Sequence, residues 1–155
     1  MPSISGRLAN LASRYTPGLG RRMTKSHVER YRSSNGEKGA SFRGMEVFLL
    51  DVVGRASGEP RPVMLMLARR GDDLIVVGSN AGNKDTPNWY KNLIAAGGAE
   101  VQVKAERWSV DVREVDGDEK AECWDIAVRA YPDFASYQEL TDRTIPVAVL
   151  APRGE

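Results

Sequence analysis

A glycine-bearing turn with two arginines is the first feature of this chain that could bind a ligand. The turn reads GRASG over residues 54–58, and Arg61 follows three residues later. Tight turns of this kind expose backbone N–H groups that can surround an anion, and the forked donors of arginine match carboxylates and phosphates. The pattern therefore predicts an anion-binding turn, and the alternative is an ordinary hairpin turn with surface arginines.

A polar loop that leads into a helix is the second such feature. The loop reads SNAGNK over residues 79–84, and Asp85 or Thr86 can cap a helix in which Pro87 suits the first turn. The free N–H groups at a helix start attract anions. The alternative is a capped helix that binds no ligand.

An aromatic stripe is the third feature. Tyr131, Phe134, Tyr137 and Leu140 follow one another at intervals of three residues, which keeps them near one face of a helix. Tyrosine hydroxyls can hydrogen-bond a substrate oxygen, although such stripes also serve simply to cover a core. Together with the two anion-receptive loops, the stripe favours a site for a phosphorylated organic molecule.

Several other kinds of site are excluded by residue counts and motifs. One Cys and one His among 155 residues cannot form an internal disulfide or a Cys-rich metal site, and we expect no metal. The sequence has no P-loop, no dinucleotide-binding glycine fingerprint and no nucleophile elbow. His27 lies in a basic arm, and Cys123 lies on the apolar side of a predicted helix. The basic residues lack the interleaved aromatics typical of nucleic-acid binding.

The charge distribution separates a basic arm from a mildly acidic body. Residues 1–45 carry nine Lys/Arg and two Glu, a net +7, and the remainder carries 13 basic and 19 acidic residues, a net −6, which gives the +1 of the whole chain. Ile4, Leu8, Leu11 and Tyr15 form one face of a predicted helix over residues 3–15. This helix could lie on an anionic membrane surface or pack on the domain.

The overall composition is that of a globular domain, with 41% hydrophobic and 28% charged residues. Neither a run of about 18 apolar residues nor a secretory signal is visible. We therefore expect a cytoplasmic protein, with attachment to the inner membrane face as a further hypothesis. We divide the chain into a basic helical arm over residues 1–45 and a barrel domain over residues 46–155.

Hydrophobic patterning predicts a mainly antiparallel β fold with flanking helices. Six strands are predicted, and they are linked mostly by turns too short for crossovers: 46–53, 63–67, 74–77, 101–103, 108–112 and 145–150. Around residues 105–106 the alternation changes phase, as a hairpin requires. Predicted helices cover 24–32, a stretch from Pro87 to Gly97, 116–131 and a short stretch after Pro132. A closed or nearly closed barrel would leave few exposed edges.

Four segments resemble the deazaflavin-dependent nitroreductase family. They are Tyr31 to Gly39, FLLDVVGRASGEPR over 48–61, SNAGNKDTPNWYKNL over 79–93 and YPDFASYQELTDRTIP over 131–146. They occur in the family's order within residues 28–152, and the PxWYxNL and TDRTIP pieces are the specific ones. The resemblance implies a split β-barrel of the FMN-binding type, with antiparallel Greek-key topology.

The resemblance also implies coenzyme F-420, an 8-hydroxy-5-deazaflavin with an anionic tail. Arg55, Ser57, Arg61 and Lys84 would hold that tail, and Trp89 and Asn92 would border the ring. The full set of implied cofactor-binding residues is Arg55, Ala56, Ser57, Arg61, Val63, Met64, Ser79, Asn80, Lys84, Pro87, Asn88, Trp89 and Asn92.

The implied reaction is hydride transfer from the reduced coenzyme to an electron-poor acceptor, which would be a quinone, an activated enone or a nitroaromatic compound. The implied acceptor-binding residues are Met66, Tyr131, Phe134 and Tyr137, and the implied catalytic residues are Tyr137, Tyr131 and Ser79. Many relatives have Lys in place of Ala56 and Asn80, and the close nitroreductases have Tyr in place of Met66 and Phe134. These departures remove two tail-binding charges and one candidate proton donor, which favours quinones or enones over nitro compounds.

Two alternatives stay open at this point. The same barrel could be a non-catalytic protein that binds deazaflavin, flavin or a lipid-like ligand. It could also be an FMN-dependent reductase, because this barrel type hosts both cofactors. The sequence is compatible with a monomer or a homodimer.

Overall fold

A computed structural model describes residues 17–154, with side chains from Lys25 onward. The helix predicted over residues 3–15 lies outside this range. The described helices and strands, in chain order, are α1 (Pro17–Ser33), β1 (Ser41–Phe42), β2 (Met45–Val53), β3 (Pro60–Met66), β4 (Arg69–Arg70), β5 (Asp73–Val77), α2 (Asn88–Ala96), β6 (Gly98–Val103), β7 (Glu106–Glu114), α3 (Gly117–Ala130), α4 (Asp133–Glu139) and β8 (Val147–Pro152).

The strands form one antiparallel sheet that curls into a half-barrel. Its order is β1-β2-β6-β7-β8-β5-β4, with β3 also paired to β2. Because β3 and β4 are almost continuous in the chain, one stretch from Pro60 to Arg70 pairs with β2 at one end and β5 at the other. The predicted mainly antiparallel barrel with flanking helices is confirmed, and so is the hairpin of β6 and β7 at the phase change.

The hairpin predicted between the second and third strands is shorter than expected. At one edge of β5, Leu74 and Asp73 pair with Arg69 and Arg70 of β4. At the other edge, residues 74–77 pair with β8. The connector predicted up to Gly44 also contains a strand, β1, which pairs with the start of β2. Arg43 and Gly44 both adopt left-handed backbone angles, with φ of 54° and 81°. These angles make the tight turn that allows so short a hairpin.

Side-chain alternation divides the core into three parts. Phe48, Leu50 and Val52 of β2 face the barrel interior, which α2 closes with Tyr90 and Leu93. On the outer face, β5 and β8 pack against α3 and α4, while Leu49 of β2 packs beneath α1. Helices therefore cover the outer face of the sheet.

Helix α1 docks on the barrel through Val28 and Tyr31. The buried Tyr31 hydroxyl accepts a hydrogen bond from the Lys104 N–H at 2.5 Å and donates to the Gln102 carbonyl at 3.2 Å. These bonds satisfy main-chain groups at the β6–β7 hairpin that would otherwise be buried without a partner. Helix α1 includes the predicted stretch 24–32 and begins earlier, at Pro17.

The outer edge of β3 carries two prolines. The Gly54 N–H donates to the Glu59 carbonyl and the Leu67 N–H to the Glu46 carbonyl, so odd-numbered residues of β3 bond to β2 and even-numbered ones point away. Pro60 and Pro62 therefore occupy outward positions, where a missing N–H costs no ladder bond.

Helix α3 is joined to the barrel by a charged cluster around Glu119. This carboxylate accepts hydrogen bonds from Arg113 of β7 at 2.8 Å and from Arg70 of β4 at 3.0 Å. These bonds lower the pKa of Glu119 from about 4.5 to about 2, and the bond from Arg113 has a larger effect than the bond from Arg70. The carboxylate thus stabilises the fold only in its charged form.

We expect Glu119→Gln to lower the melting temperature at pH 7, with a deficit that shrinks in acid. Because folding lowers this pKa, the stabilisation is complete above about pH 4.5 and is lost as the pH falls towards about 2. Thermal unfolding of both proteins at steps from pH 7 to pH 3 measures this. Asp125→Asn, at an exposed position of the same helix, is the control. A deficit that is constant over the whole range would contradict the assignment.

Candidate functional site

The predicted anion-binding turn, residues 54–59, packs against the side of α2. Its Ser57 hydroxyl accepts hydrogen bonds from the Glu59 N–H at 3.2 Å and from Arg61 Nη2 at 3.3 Å. Ala56 and Ser57 are exposed at the tip. The Arg61 guanidinium, about half exposed, also lies 3.5 Å from the Glu59 carboxylate. The turn is internally bonded, and its arginine side chains are available to a ligand at the surface.

Arg55 is held by two amide side chains of α2. The Asn92 Oδ1 atom accepts both the Arg55 backbone N–H, at 3.1 Å, and the Arg55 Nη1, at 2.8 Å. Asn88 Oδ1 lies 3.5 Å from Nη2. Asn92 is buried whereas Arg55 is exposed. The side chain expected to border the coenzyme ring, Asn92, therefore also fixes the arginine expected to bind the tail.

Helix α2 ends where its sequence predicts, but neither Asp85 nor Thr86 caps its start, and no side chain makes a capping hydrogen bond there. Pro87 is the buried N-terminal cap with extended backbone angles, and Gly97 ends the helix in the left-handed conformation. Trp89 is half-buried against the barrel interior and meets the Tyr90 ring edge-on, at 5.6 Å between centroids. The first turn of α2 thus places Asn88 beside Arg55 and Trp89 at the end of the barrel.

The loop before α2 contains a strained left-handed turn, residues 79–83. Asn80, Ala81 and Gly82 have φ of 48°, 52° and 77° in succession. The left-handed conformation costs an alanine about 1–2 kcal/mol. A Cβ on Gly82 would lie 2.8 Å from the Tyr137 carbonyl and 2.9 Å from Leu140 Cβ, so the turn is pressed against α4. Surrounding structure must hold a turn of this kind in place.

The polar side chains after this turn line an open depression of about 430 Å³, formed by Asn80, Asn83, Lys84 and Asp85. The Asn80 amide donates to the Asp85 carbonyl at 2.9 Å, so this side chain closes its own loop. Lys84 is exposed at the rim. Three polar side chains in this loop are expected to bind the cofactor: Lys84 is accessible, Asn80 is hydrogen-bonded within the loop, and Ser79 is buried.

Arg143 holds the same turn from the other side, and sequence reasoning missed it. Its guanidinium donates to the carbonyls of Gly78 (3.1 Å), Ser79 (2.8 Å) and Asn83 (3.1 Å). Arg143 lies within the TDRTIP segment, residues 141–146. No local pattern marks an arginine whose partners are about 60 residues away.

The expected acceptor-binding side chains meet in one cluster. Tyr131, Phe134 and Tyr137 are buried together, with Met66 and Ala81 packed against them. The two tyrosine hydroxyls lie 2.8 Å apart, and the Tyr131 and Phe134 rings meet edge-on at 5.0 Å. Ser79, which is 8% exposed, precedes Ala81 in the adjoining turn. Leu140, the last member of the predicted stripe, is exposed and contacts Gly82 instead.

Both tyrosines of this cluster remain protonated over a wide pH range. Burial raises the pKa of Tyr131, and its hydrogen bond with Tyr137 raises it further. Burial also raises the pKa of Tyr137, although the hydrogen bond from Tyr131 opposes the shift. Both hydroxyls therefore carry their protons at neutral pH, so either can act as a proton donor.

An ion pair lies beside the tyrosines, and no sequence pattern indicates it. Arg43 of the β1–β2 turn lies 3.9 Å from the Asp133 carboxylate and 4.7 Å from the Phe42 ring centre. Asp133 is buried at the start of α4. The negative charge raises the pKa of Tyr137, and Arg43 lowers it.

Two further residues expected at the cofactor lie on opposite faces of β3. Val63 packs toward the barrel interior and Met64 toward α1. One ligand could contact both only along the main chain of the strand. Among the described strands, β2 is the one that pairs with β3. The other edge of β3 can therefore offer main-chain N–H and C=O groups to a ligand.

The residues present fit an elongated anionic coenzyme. Contacts join the arginine turn to α2 and the turn at residues 79–83 to α4, and residues 83–87 link these two parts along the chain. The donor set at one end is cationic, while the other end carries hydroxyls. Arg143 Nη1 is in addition buried without a hydrogen-bond partner in the described part of the chain. One ligand with an acidic tail and a redox ring would meet both ends.

Over residues 17–154, no group of three or more Cys, His, Asp or Glu side chains is placed to hold a metal ion. In the same range, no helix has the length and apolar character needed to span a bilayer.

Comparisons with known proteins identify the family of this chain. The family model of the F-420H2-dependent quinone reductases matches residues 23–152. An F-420H2-dependent quinone reductase of Mycobacterium tuberculosis is 32% identical over 139 residues, which cover 87% of this chain and 93% of the relative.

Two solved structures are similar as well. An F-420H2-dependent reductase, FDR-A, is 35% identical with a TM-score of 0.63, over 67% of this chain and 92% of the other. A structure described as a domain-swapped dimer is 30% identical with a TM-score of 0.67, over 87% and 99%. The predicted deazaflavin dependence and barrel are confirmed, with quinone rather than a nitro compound in the family's description. The chain belongs to the F-420H2-dependent quinone reductase family of oxidoreductases, whose coenzyme is reduced F-420.

Proposed function

We propose that this protein transfers a hydride from reduced coenzyme F-420 to a quinone. The observation that carries the proposal is the turn at residues 79–83, because it lies between the arginine-bearing turn with α2 and the tyrosines of α4. When bound, the coenzyme supplies the hydride. The protein supplies binding, orientation and a proton.

The tail-binding role belongs to the cationic end of the site. Arg55 is fixed by Asn92, so little side-chain freedom is lost when its guanidinium meets a carboxylate or phosphate. Ser57, Arg61 and Lys84 add an exposed hydroxyl and two cations. The remaining expected cofactor residues would line the length of the coenzyme: Ala56, Val63, Met64, Ser79, Asn80, Pro87, Asn88, Trp89 and Asn92.

The proton-donating role belongs to the hydroxyl end. A quinone that accepts a hydride becomes a hydroquinone anion, and one proton completes the hydroquinone. Tyr137 would give that proton, and the Tyr131 hydroxyl, 2.8 Å away, would replace it. Ser79 would orient the acceptor oxygen. Both tyrosines are 4% exposed, so these proton donors are shielded from bulk water.

The apolar side chains of the cluster bear on the choice of acceptor. Met66 and Phe134 contribute surface without hydroxyls, which suits a flat apolar quinone or an activated enone. Reduction of a nitro group beyond the nitroso level takes a further hydride and a further proton at each step, and the donors here would be only Ser79 and the tyrosine pair. We therefore rank quinones first, enones second and nitroaromatics last.

A binding titration tests the function directly. We expect coenzyme F-420 to bind more tightly than FMN, followed under anaerobic conditions by fluorescence. Addition of a naphthoquinone to protein and reduced coenzyme should then restore the absorbance of the oxidised coenzyme. Tighter binding of FMN would favour an FMN-dependent reductase. Binding without oxidation by any quinone or enone would favour a non-catalytic carrier.

We also propose association of two copies, since a structural neighbour is described as a domain-swapped dimer. Sedimentation velocity over a range of protein concentrations tests it. A species with the mass of a monomer, 17.0 kDa, at all concentrations would count against it.

We further propose that residues 1–45 act as a basic arm beside a barrel domain of residues 46–155, with attachment to the inner membrane face. The net charge of +7 on that arm supports this proposal. Cosedimentation with anionic vesicles should fall when residues 1–16 are deleted and when salt is raised. Unchanged cosedimentation of the truncated chain would contradict it, and neutral vesicles serve as the control.

A further inference from the structure

Arg143 is a half-buried cation to which the proposed reaction gives no role. It lies in the segment between α4 and β8, yet all three of its main-chain partners lie in the loop after β5. Nε reaches the carbonyl of Asn83, and Nη2 reaches those of Gly78 and Ser79. The guanidinium therefore joins both ends of the strained turn.

The turn needs such a clamp because its own residues do not favour its shape. Ala81 has φ 52° and ψ 32°, a left-handed conformation that alanine rarely adopts. The two hydrogen bonds inside the turn, Gly82 N–H to Ser79 O and Asn83 N–H to Asn80 O, span only four residues each. Without Arg143, the carbonyls of Gly78 and Ser79 would turn outward and the turn would relax.

The segment that carries Arg143 is itself fixed to α4. The Gln138 side chain donates to the Arg143 carbonyl at 2.8 Å and accepts the Ile145 N–H at 3.0 Å. Gln138 follows Tyr137 directly. The tyrosine helix, Arg143 and the Ser79 turn are therefore one hydrogen-bonded unit, and Arg143 sets where Ser79 lies relative to the tyrosines.

We propose that Arg143 is a positioning residue for the reductase, which holds the turn at residues 79–83 in its left-handed form and thereby fixes Ser79 within the turn that packs against the tyrosine helix α4. The proposal rests on the proposed function. Arginine is required because its planar fork reaches three carbonyls at once, whereas a lysine ammonium cannot satisfy the same three directions.

A double-mutant cycle on kcat for a naphthoquinone tests the proposal, with Arg143→Lys, Ser79→Ala and the double variant. Because a misplacement of about 1 Å can cost up to about a hundredfold in rate, we expect each single variant to lose about tenfold or more. We expect the double variant to be no slower than the slower single one, because the two changes remove the same contribution. Arg129→Met, at an exposed arginine of α3, is the control and should match the wild type.

Three outcomes would overturn the proposal: an unchanged kcat for Arg143→Lys, an unchanged kcat for Ser79→Ala, or losses that multiply in the double variant. A second pair of variants, Arg143→Lys with and without Ala81→Gly, distinguishes a loss of rate caused by the relaxed turn from one caused by general unfolding. Ala81→Gly removes the strain of the turn and should restore part of the kcat of Arg143→Lys, whereas a purely global defect would not respond. If the wild-type protein oxidises no reduced coenzyme at all, the proposed function fails rather than the role of Arg143.

Discussion

Replacement of Tyr137 by phenylalanine should slow quinone turnover about a hundredfold, the lower range for loss of a general acid, and should leave the affinity for coenzyme F-420 unchanged. The two hydroxyls are 2.8 Å apart in a buried cluster. Removal of one eliminates the donor and leaves Tyr131 without its partner. Pre-steady-state oxidation of the reduced coenzyme by a naphthoquinone measures the effect.

The matched control for this change is Tyr31→Phe. Tyr31 is also a buried tyrosine with two hydrogen bonds, but it belongs to the interface of α1 with the barrel. We expect that variant to lose about 1–3 kcal/mol of unfolding free energy, as for any buried polar group left unpaired, while its turnover stays normal. Equal turnover of Tyr137→Phe and wild type would remove Tyr137 from the mechanism.

The raised pKa values add a pH criterion. Because burial raises the pKa of both tyrosines above the ordinary value of 10, tyrosine ionisation should produce no loss of rate between pH 7 and 9. A fall in kcat over that interval that is absent from Tyr137→Phe would contradict the assigned environment.

Arg55→Ala should weaken coenzyme binding about 10- to 100-fold, which corresponds to the roughly 1.5–3 kcal/mol of a charged hydrogen bond. The side chain is oriented by Asn92 and Asn88 before any ligand arrives. Arg55→Lys keeps the charge but loses the fork, so we expect an intermediate affinity. A fluorescence titration with coenzyme F-420 measures all variants.

Arg69→Ala is the control for charge alone, since Arg69 is an exposed arginine on β4. It should bind the coenzyme as the wild type does. Asn92→Leu tests the orientation: it keeps Arg55 in the chain but removes its acceptor, and we expect affinity several-fold below that of the wild type. If Arg55→Ala titrates like the wild type, the tail lies elsewhere.

The strands were predictable because their patterns are strong over many residues. The run from Val47 to Val53 and the phase change near Ala105 each admit one interpretation. The strands β1 and β4 have only two residues each, which is too short for any periodicity. They exist because the Arg43–Gly44 turn and the continuation of β3 bring them beside a partner.

The candidate site was predictable where the chemistry lies within one local motif, as in the turn that holds Arg55 and the loop that holds Ser79. It was not predictable where partners are distant in sequence. Asn92 is 37 residues from Arg55, and Arg143 is 60 residues or more from the carbonyls that it binds. Only the curling of the sheet brings such groups together, and no spacing rule expresses that.

The prolines at positions 60 and 62 have a consequence for how copies of this protein can associate. A guest strand laid along the open flank of β3 would need donors at every second residue, and two of the four outward positions have none. Sheet-to-sheet extension across this flank is therefore blocked, which also guards against fibrillar stacking. The association of two copies proposed above would then use another surface, by side-chain packing or by exchange of a segment.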